Sequence, residues 1–294
     1  MEPLRTLLSV PGNRHNMIQK ARDLTVDVLI LDLEDSVPRS EKAAARAMVR
    51  DSIEELAKFG RRVFVRINSL ATGLAHDDLE SVIVPGIAGI NQPKPATASD
   101  VAVVADTIER LEREREIKAG HIKILPWVET AKGILNAYQI ATASPRVIGI
   151  IFGAEDFALD TGMLRTEEGS ELLYPRTTVL IAARAAGVSA IDTPYNNFKD
   201  EPGLIREANL ARSLGFDGKF LIHPSQIEPV NRIFRPTDEE LARARSIVAA
   251  FEAAEAKGLG ATSMDGKMID TPIANQARRL LSLAAAIENS ERKR

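Results

Sequence analysis

The sequence predicts an α/β protein, a (β/α)8 TIM barrel with a C-terminal helical extension. Three observations carry this. Short apolar, β-branched runs recur eight times, helical stretches separate them, and beyond about Pro236 the alternation stops. Parallel strands joined by crossover helices give this pattern. Strands buried on both faces are almost continuously apolar, as VLIL, IKIL and VIGIIF are.

In chain order the expected strands are TLLSV, VLILDLE, RVFVRIN, a more polar GINQPKP, IKILPWVE, VIGIIFG, SAIDTP and KFLIHP. Between the second and third, EKAAARAMVRDSIEELAKF reads as a helix, with Ser40 placed to cap its start and Gly60 to end it. Further helices are expected over about Ser99 to Lys118, Ala131 to Ala143, Pro175 to Ala186 and Pro202 to Leu214. The competing architecture is an open doubly wound sheet. VPGNRHN stands after the first strand in place of a dinucleotide-binding glycine fingerprint, which favours the barrel. Past Pro236, DEELARARSIVAAFEAAEAKG is a long amphipathic helix with no strand behind it. GLGATSMDGKMID reads as a glycine-containing loop, Pro272 to about Ile287 as a last helix, and SERKR as a solvated, fraying end. The expected division is a catalytic barrel over residues 1–235 and an extension over residues 236–294.

Composition narrows the function. Of 294 residues, 38 are Lys or Arg and 41 Asp or Glu, a net charge of −3 that offers nucleic acid no basic stripe. The chain has no cysteine, so disulfides, thiol nucleophiles and thiolate metal sites are excluded. No segment reads as a secretion signal or a membrane span, and a cytoplasmic protein is expected.

Active sites of such barrels lie at the C-terminal ends of the strands. The expected strands end in Asp32, Glu34 and Asp35; in Arg66 and Asn68; in Lys94; in Glu129; in Glu155 and Asp156; and in His223. Carboxylates without cysteine and with few histidines are the donors of a hard cation, Mg²⁺ or Mn²⁺. Glu129 and Asp156 come from neighbouring strands and can share one ion. Arg66 suits an acidic substrate, because guanidinium binds a carboxylate through two parallel hydrogen bonds. Structural readings stand beside these. Glu129 can cap the next helix, with Thr130 as a competing cap; the DLED acids can organise a turn; Arg66 can be their ion-pair partner. His223 reads as packed or bonded to backbone. Lys94 would need a depressed pKa to act as a Schiff-base lysine, and Asp265 and Lys267 can belong to a polar turn.

RTLLSVPGN, LDLEDSV with the downstream EKAAAR, FVRIN, the ET of PWVET, GAEDFALDTG, GFDGKFLIHPSQI and SMDGKMID occur in this order along nearly the whole chain. Together they make the sequence resemble the aldolase/citrate lyase family, in its citrate lyase β-subunit-like branch. The resemblance implies Mg²⁺ on Glu129 and Asp156, with Mn²⁺ as a substitute. It implies substrate contacts from Arg66, Glu129, Glu34 and Asp35, and coenzyme A (CoA) contacts from Ser9, in the segment leading into VPGN, and from Lys20. It further implies a homotrimer or hexamer in which Asp265 reaches a neighbouring subunit's site as general acid/base, with the C-terminal extension as a lid. Two departures stand out: GINQPKP is more polar than the family's usual fourth strand, and Trp127 stands where relatives often carry an aliphatic residue.

The implied reaction is reversible C–C cleavage of a 3-hydroxyacyl thioester, such as malyl-, methylmalyl- or citramalyl-CoA, to a 2-oxo acid and acetyl- or propionyl-CoA. Arg66 would stabilise the enolate charge and Asp265 would carry the proton to carbon. The alternatives are a citrate lyase β subunit acting on citryl-thioester in a complex, a malate synthase or thioesterase activity at the same site, a class II aldolase without CoA, and a non-catalytic CoA-ester-binding barrel.

Overall fold

Eight parallel strands close on themselves in chain order in a computed structural model that describes residues 2–166 and 168–292. They are β1 (Thr6–Pro11), β2 (Val28–Asp32), β3 (Val63–Arg66), β4 (Ile87–Pro93), β5 (Lys123–Val128), β6 (Gly149–Phe152), β7 (Ser189–Asp192) and β8 (Gly218–Leu221). Leu8 pairs with Leu29 on one side and Leu221 on the other, which joins the first strand to the last. Each expected strand overlaps one of these eight, and β1, β4 and β8 extend one or two residues beyond the expected segments. The near-continuous burial of β2, β3, β6, β7 and β8 follows from filling the barrel on one face and packing helices on the other.

Every expected helix has a counterpart, with differences at the ends, and four more among the described residues, His15–Ala21, Ala75–Val82, Ala154–Thr161 and Ile227–Phe234, stand where the reading named none. Ser40 does not cap the helix Lys42–Lys58. It lies inside a 3₁₀ turn, Arg39–Glu41, begun by Pro38, and the α-helix starts beyond its reach. Gly60, at φ 72°, does follow the helix end. The expected helix over Ala131 to Ala143 is two short ones, Ala131–Leu135 and Ala137–Ala141, because Asn136 leaves the helical conformation and donates from Nδ2 to the Ala96 carbonyl (2.8 Å). The helices Ala98–Glu114, Leu173–Ala186 and Glu201–Leu214 lie where expected. No helix among the described residues is long and apolar enough to cross a membrane.

The chain divides into two compact units, one over Leu4–Asn231 and the other over residues 232–292 with Glu2 and Pro3. In the second unit the helices Asp238–Glu255 and Thr271–Arg292 enclose a small core of Phe251, Ile269 and Ala274. The expected loop carries an antiparallel hairpin, β9 (Thr262–Met264) and β10 (Lys267–Ile269). Its turn residues Asp265 and Gly266 both have positive φ, 53° and 72°, the type I′ conformation that Asp-Gly favours. The last helix also outruns the reading: Ser290, Glu291 and Arg292 are helical, and Glu291 pairs with Arg235 at 2.8 Å. Lys293 and Arg294 lie outside the described residues.

Candidate active site

One periodicity builds the site. Leu7, Ile30, Phe64, Trp127, Ile151, Ile191 and Phe220 pack together inside the barrel. Side chains alternate along a strand, so the residue two positions further on faces the same interior, one layer nearer the C-terminal rim. Those residues are Ser9, Asp32, Arg66, Glu129, Gly153, Thr193 and Ile222. All but Asp32 line a single cavity of about 190 Å³, together with Asp35, Glu155, Asp156 and Pro194. Asp32 is the fully buried support of this row.

Arg66 grips Asp32 with both arms, Nε donating to Oδ1 at 2.7 Å and Nη2 to Oδ2 at 2.6 Å. The two parallel bonds expected to take a substrate carboxylate are therefore made to Asp32, the ion-pair alternative of the sequence reading. The outer nitrogen, Nη1, faces Glu34 at 3.2 Å and Asp35 at 3.3 Å. Burial pushes the Asp32 carboxyl up, but the Arg66 charge and hydrogen bonds pull it down further, and it stays ionised below the usual carboxylate range. Breaking such a buried pair costs about 3–5 kcal/mol, because the surviving charge has no partner. Lys42 secures the loop from the other side, donating to the carbonyls of Leu33 and Glu34 at 2.6 Å each. This gives the spacing of LDLED and EKAAAR a physical reason.

Glu129 is not a helix cap. Thr130 takes that role, its hydroxyl accepting from the Gly133 N–H at 3.0 Å, which leaves the Glu129 carboxylate facing the cavity and only 2% exposed. Burial, then the negative charges of Glu34 and Asp156, raise its pKa well above the ordinary glutamate value. Glu34 is raised too, by burial that Arg66 and Lys94 do not fully offset. Gly153 makes room for Glu129: a Cβ on it would stand 2.5 Å from the Glu129 Cβ and 2.5 Å from the Trp127 Nε1. Trp127 is wedged between the Phe220 ring, 4.4 Å away, and the Arg66 guanidinium, 4.9 Å from its ring centre.

Between the carboxylates lies Lys94. Its backbone N–H donates to Glu129 Oε1 at 3.1 Å, and its ammonium sits 3.0 Å from Glu34 Oε1 and 3.2 Å from Asp156 Oδ1. Burial works against its charge, but Glu34, Glu129 and Asp35 outweigh it and raise the pKa above the ordinary lysine value. A Schiff-base lysine needs the opposite shift. The Lys94 of the structure keeps its positive charge.

The remaining expected residues separate. Ser9 lines the cavity, whereas Lys20 is exposed on the helix His15–Ala21 and is not part of the lining. His223 accepts the Ser225 N–H through Nδ1 and stacks on Phe198. Asp265 is exposed on the β9–β10 turn of the second unit. A larger hollow of about 410 Å³, at the N-terminal ends of β5 and β6, includes Lys123 and Arg146. The Arg146 fork is closed on Glu112 (2.9 and 2.6 Å), so that hollow has a structural lining. Gly153, Thr193 and Ile222 are the residues of the cavity row that the sequence reading did not assign. Each stands two positions beyond a barrel-core residue, and that spacing was the available signal.

Residues 5–224 match the model of the HpcH/HpaI aldolase/citrate lyase family. The chain belongs to this family. Among its relatives, the "Citrate lyase subunit beta" of Leuconostoc mesenteroides subsp. cremoris is 40% identical over 96% of this chain and 93% of that protein. The "Citramalyl-CoA lyase, mitochondrial" of Rattus norvegicus is 33% identical over 97% of this chain and 87% of that one. The crystal structure of CitE from Mycobacterium tuberculosis, in complex with magnesium, acetoacetate and coenzyme A, superposes with a TM-score of 0.78 at 32% identity, covering 96% of this chain and 98% of that one. The family's rim chemistry can be tested against the donors present in this member. Glu129 and Asp156 both reach Lys94, Glu129 at its backbone N–H and Asp156 at its ammonium, and one oxygen of Glu34 is buried without a hydrogen bond. Among the described residues no group of three or more His, Asp or Glu side chains forms a metal cage. Mg²⁺ suits such a site, since it takes one or two protein carboxylates and fills its other positions with water and substrate oxygens.

Proposed function

We propose that this chain is a Mg²⁺-dependent carbon–carbon lyase. It cleaves, or in reverse forms, a 3-hydroxyacyl-CoA thioester such as malyl-, methylmalyl- or citramalyl-CoA, giving a 2-oxo acid and acetyl- or propionyl-CoA. The observation that carries the reading is the convergence of Glu129 and Asp156 on one residue, Lys94, through its backbone N–H and its ammonium respectively, beside an arginine fixed by buried acids. Glu129 and Asp156 hold Mg²⁺, or Mn²⁺ in its place. The bound ion supplies Lewis acidity and a template for the substrate's hydroxyl and carboxylate oxygens.

The chain's own groups do the rest. Asp32 locks the Arg66 plane, so its outer edge presents fixed positive charge to the cavity without reorganising during reaction. Glu34 and Asp35 hold that edge and contact the substrate. When a base takes the hydroxyl proton and the C–C bond breaks, the hydroxyl-bearing carbon becomes the carbonyl of the oxo acid, the electron pair stays on the thioester's α-carbon as an enolate, and Arg66 stabilises its oxygen. Asp265 of a neighbouring copy, in a homotrimer or hexamer, delivers the proton to that carbon, and the extension excludes water. Ser9 and Lys20 contact the CoA moiety. The partners are small molecules, with neither nucleic acid nor membrane, and the compartment is the cytoplasm.

The test incubates purified protein and Mg²⁺ with malyl-, methylmalyl-, citramalyl- and citryl-CoA and follows products by mass spectrometry. An oxo acid and the shortened acyl-CoA in equal amounts support the lyase. Free CoA with an intact hydroxy acid identifies a thioesterase, and absence of any product refutes the proposal. A second reading, a β subunit working on a citryl-thioester carried by a partner protein, is favoured by the 40% identity to the citrate lyase β subunit. Turnover that appears only with a carrier-bound thioester selects it.

A further inference from the structure

Lys94 adopts a conformation that its residue type disfavours. It follows Pro93 at the end of β4 with φ 53°, in the left-handed region where a side chain crowds its own backbone. In that conformation its two ends reach different acids. Its backbone N–H touches Glu129, which follows β5, while its ammonium spans Glu34, after β2, and Asp156, after β6. One residue thus ties together acids from three parts of the rim.

We propose that Lys94 is the resident counterion of the divalent-cation site, that the ion displaces its ammonium from Asp156 on binding, and that Lys94 thereby sets the site's affinity. This rests on the reading of Glu129 and Asp156 as metal ligands. The ammonium holds the Asp156 carboxylate, at Oδ1, 3.2 Å away, and an ion on that carboxylate would compete with it. The two cations oppose one another there, because Mg²⁺ binds oxygen at about 2.0–2.1 Å and repels a neighbouring positive charge. Displacement leaves the ammonium on Glu34, its other anchor at 3.0 Å. The lysine has what such a move needs: a flexible stem carrying a point charge, with 29% of its side chain already exposed. Without the ion, the ammonium screens acids that would otherwise repel one another.

The experiment measures Mg²⁺ binding by titration calorimetry to the wild-type protein, Lys94→Met, Lys94→Asn and Lys94→Arg, with thermal melting of each in EDTA and in Mg²⁺. Asn tolerates left-handed backbone and guards against misfolding of the Met variant. Both neutral variants are expected to bind Mg²⁺ about tenfold or more tightly, and to melt lower than wild type in EDTA with the gap closing in Mg²⁺. Lys94→Arg keeps the charge and is expected to bind no more tightly than wild type. Equal or weaker binding by both neutral variants, with wild type binding normally, overturns the role of Lys94 alone. If neither wild type nor the neutral variants bind Mg²⁺, the metal-ligand reading falls and takes this inference with it.

Discussion

Gly153→Ala tests the site by adding one methyl group where the structure leaves no space. Gly153 has φ −108° and ψ 104°, ordinary extended backbone, so alanine carries no conformational penalty there and the effect is purely steric. The new Cβ would lie 2.5 Å from the Glu129 Cβ, 2.5 Å from the Trp127 Nε1 and 2.6 Å from the Glu129 Oε2. Carbon contacts relax at about 3.5–4.0 Å, so roughly an ångström must be recovered. Trp127 cannot yield it, held as it is between Phe220 and Arg66, and Glu129 is the side chain that moves. Overpacking of this kind costs about 1–3 kcal/mol. For a chain of this size that lowers the melting temperature by roughly 2–12 °C. Metal ligands tolerate only about 0.2 Å of error, and Mg²⁺ affinity is expected to fall about 10–100-fold, as when a ligand's orienting neighbours are altered. Thermal melting and titration calorimetry read the two effects separately. A variant that melts lower yet binds Mg²⁺ as wild type does would remove Glu129 from the ligand set, and one unchanged in both would refute the packing argument.

Three further outcomes are expected. Asp192 is fully buried and accepts from Arg176 at 2.7 and 2.6 Å and from Lys219 at 2.6 Å, so Asp192→Asn should cost about 3–5 kcal/mol in urea unfolding. A cost below about 1 kcal/mol would contradict the assignment of that charge cluster to stability. Burial pushes the Asp192 carboxyl up, but Lys219 and Arg176 pull it further down, below 3.8. Its contribution is therefore complete above the unfolded value and lost as pH falls through the lower folded value, and the Asp192→Asn variant should lack that part of the acid slope. Trp127 is the chain's single tryptophan and lines the cavity, so Mg²⁺ with a 2-oxo acid should change the intrinsic emission. Unaltered emission with binding proved by calorimetry would place the ligand elsewhere. Asp265→Asn should lower kcat about 100-fold or more without changing Mg²⁺ affinity, the loss typical of a missing proton carrier; full turnover would exclude Asp265 from proton transfer.

Much of this architecture is legible in the residues because period and position carry it. VLIL and VIGIIF announce doubly buried strands, and acids directly after them fall on the rim whatever the intervening helices do. Other features depend on partners that local sequence does not name. Arg66 is equally plausible as a substrate clamp until the fold delivers Asp32 to its fork. For Lys94 even the direction of the pKa shift depends on Glu34 and Glu129, which are distant in the chain. Asn136 breaks a helix for a carbonyl on another loop, at Ala96. The β9–β10 hairpin hides because its strands are three residues each, too short to show alternation around the Asp-Gly turn.

The two-residue step from core layer to cavity layer has a consequence for redesign. Nearly every position of the reactive row stands on an apolar floor that is complete without it, so specificity can be rewritten one strand at a time while the foundation keeps its own contacts. Trp127 is the exception. It belongs to the floor through Phe220 and to the row through Arg66, so that exchanging it would move both storeys at once.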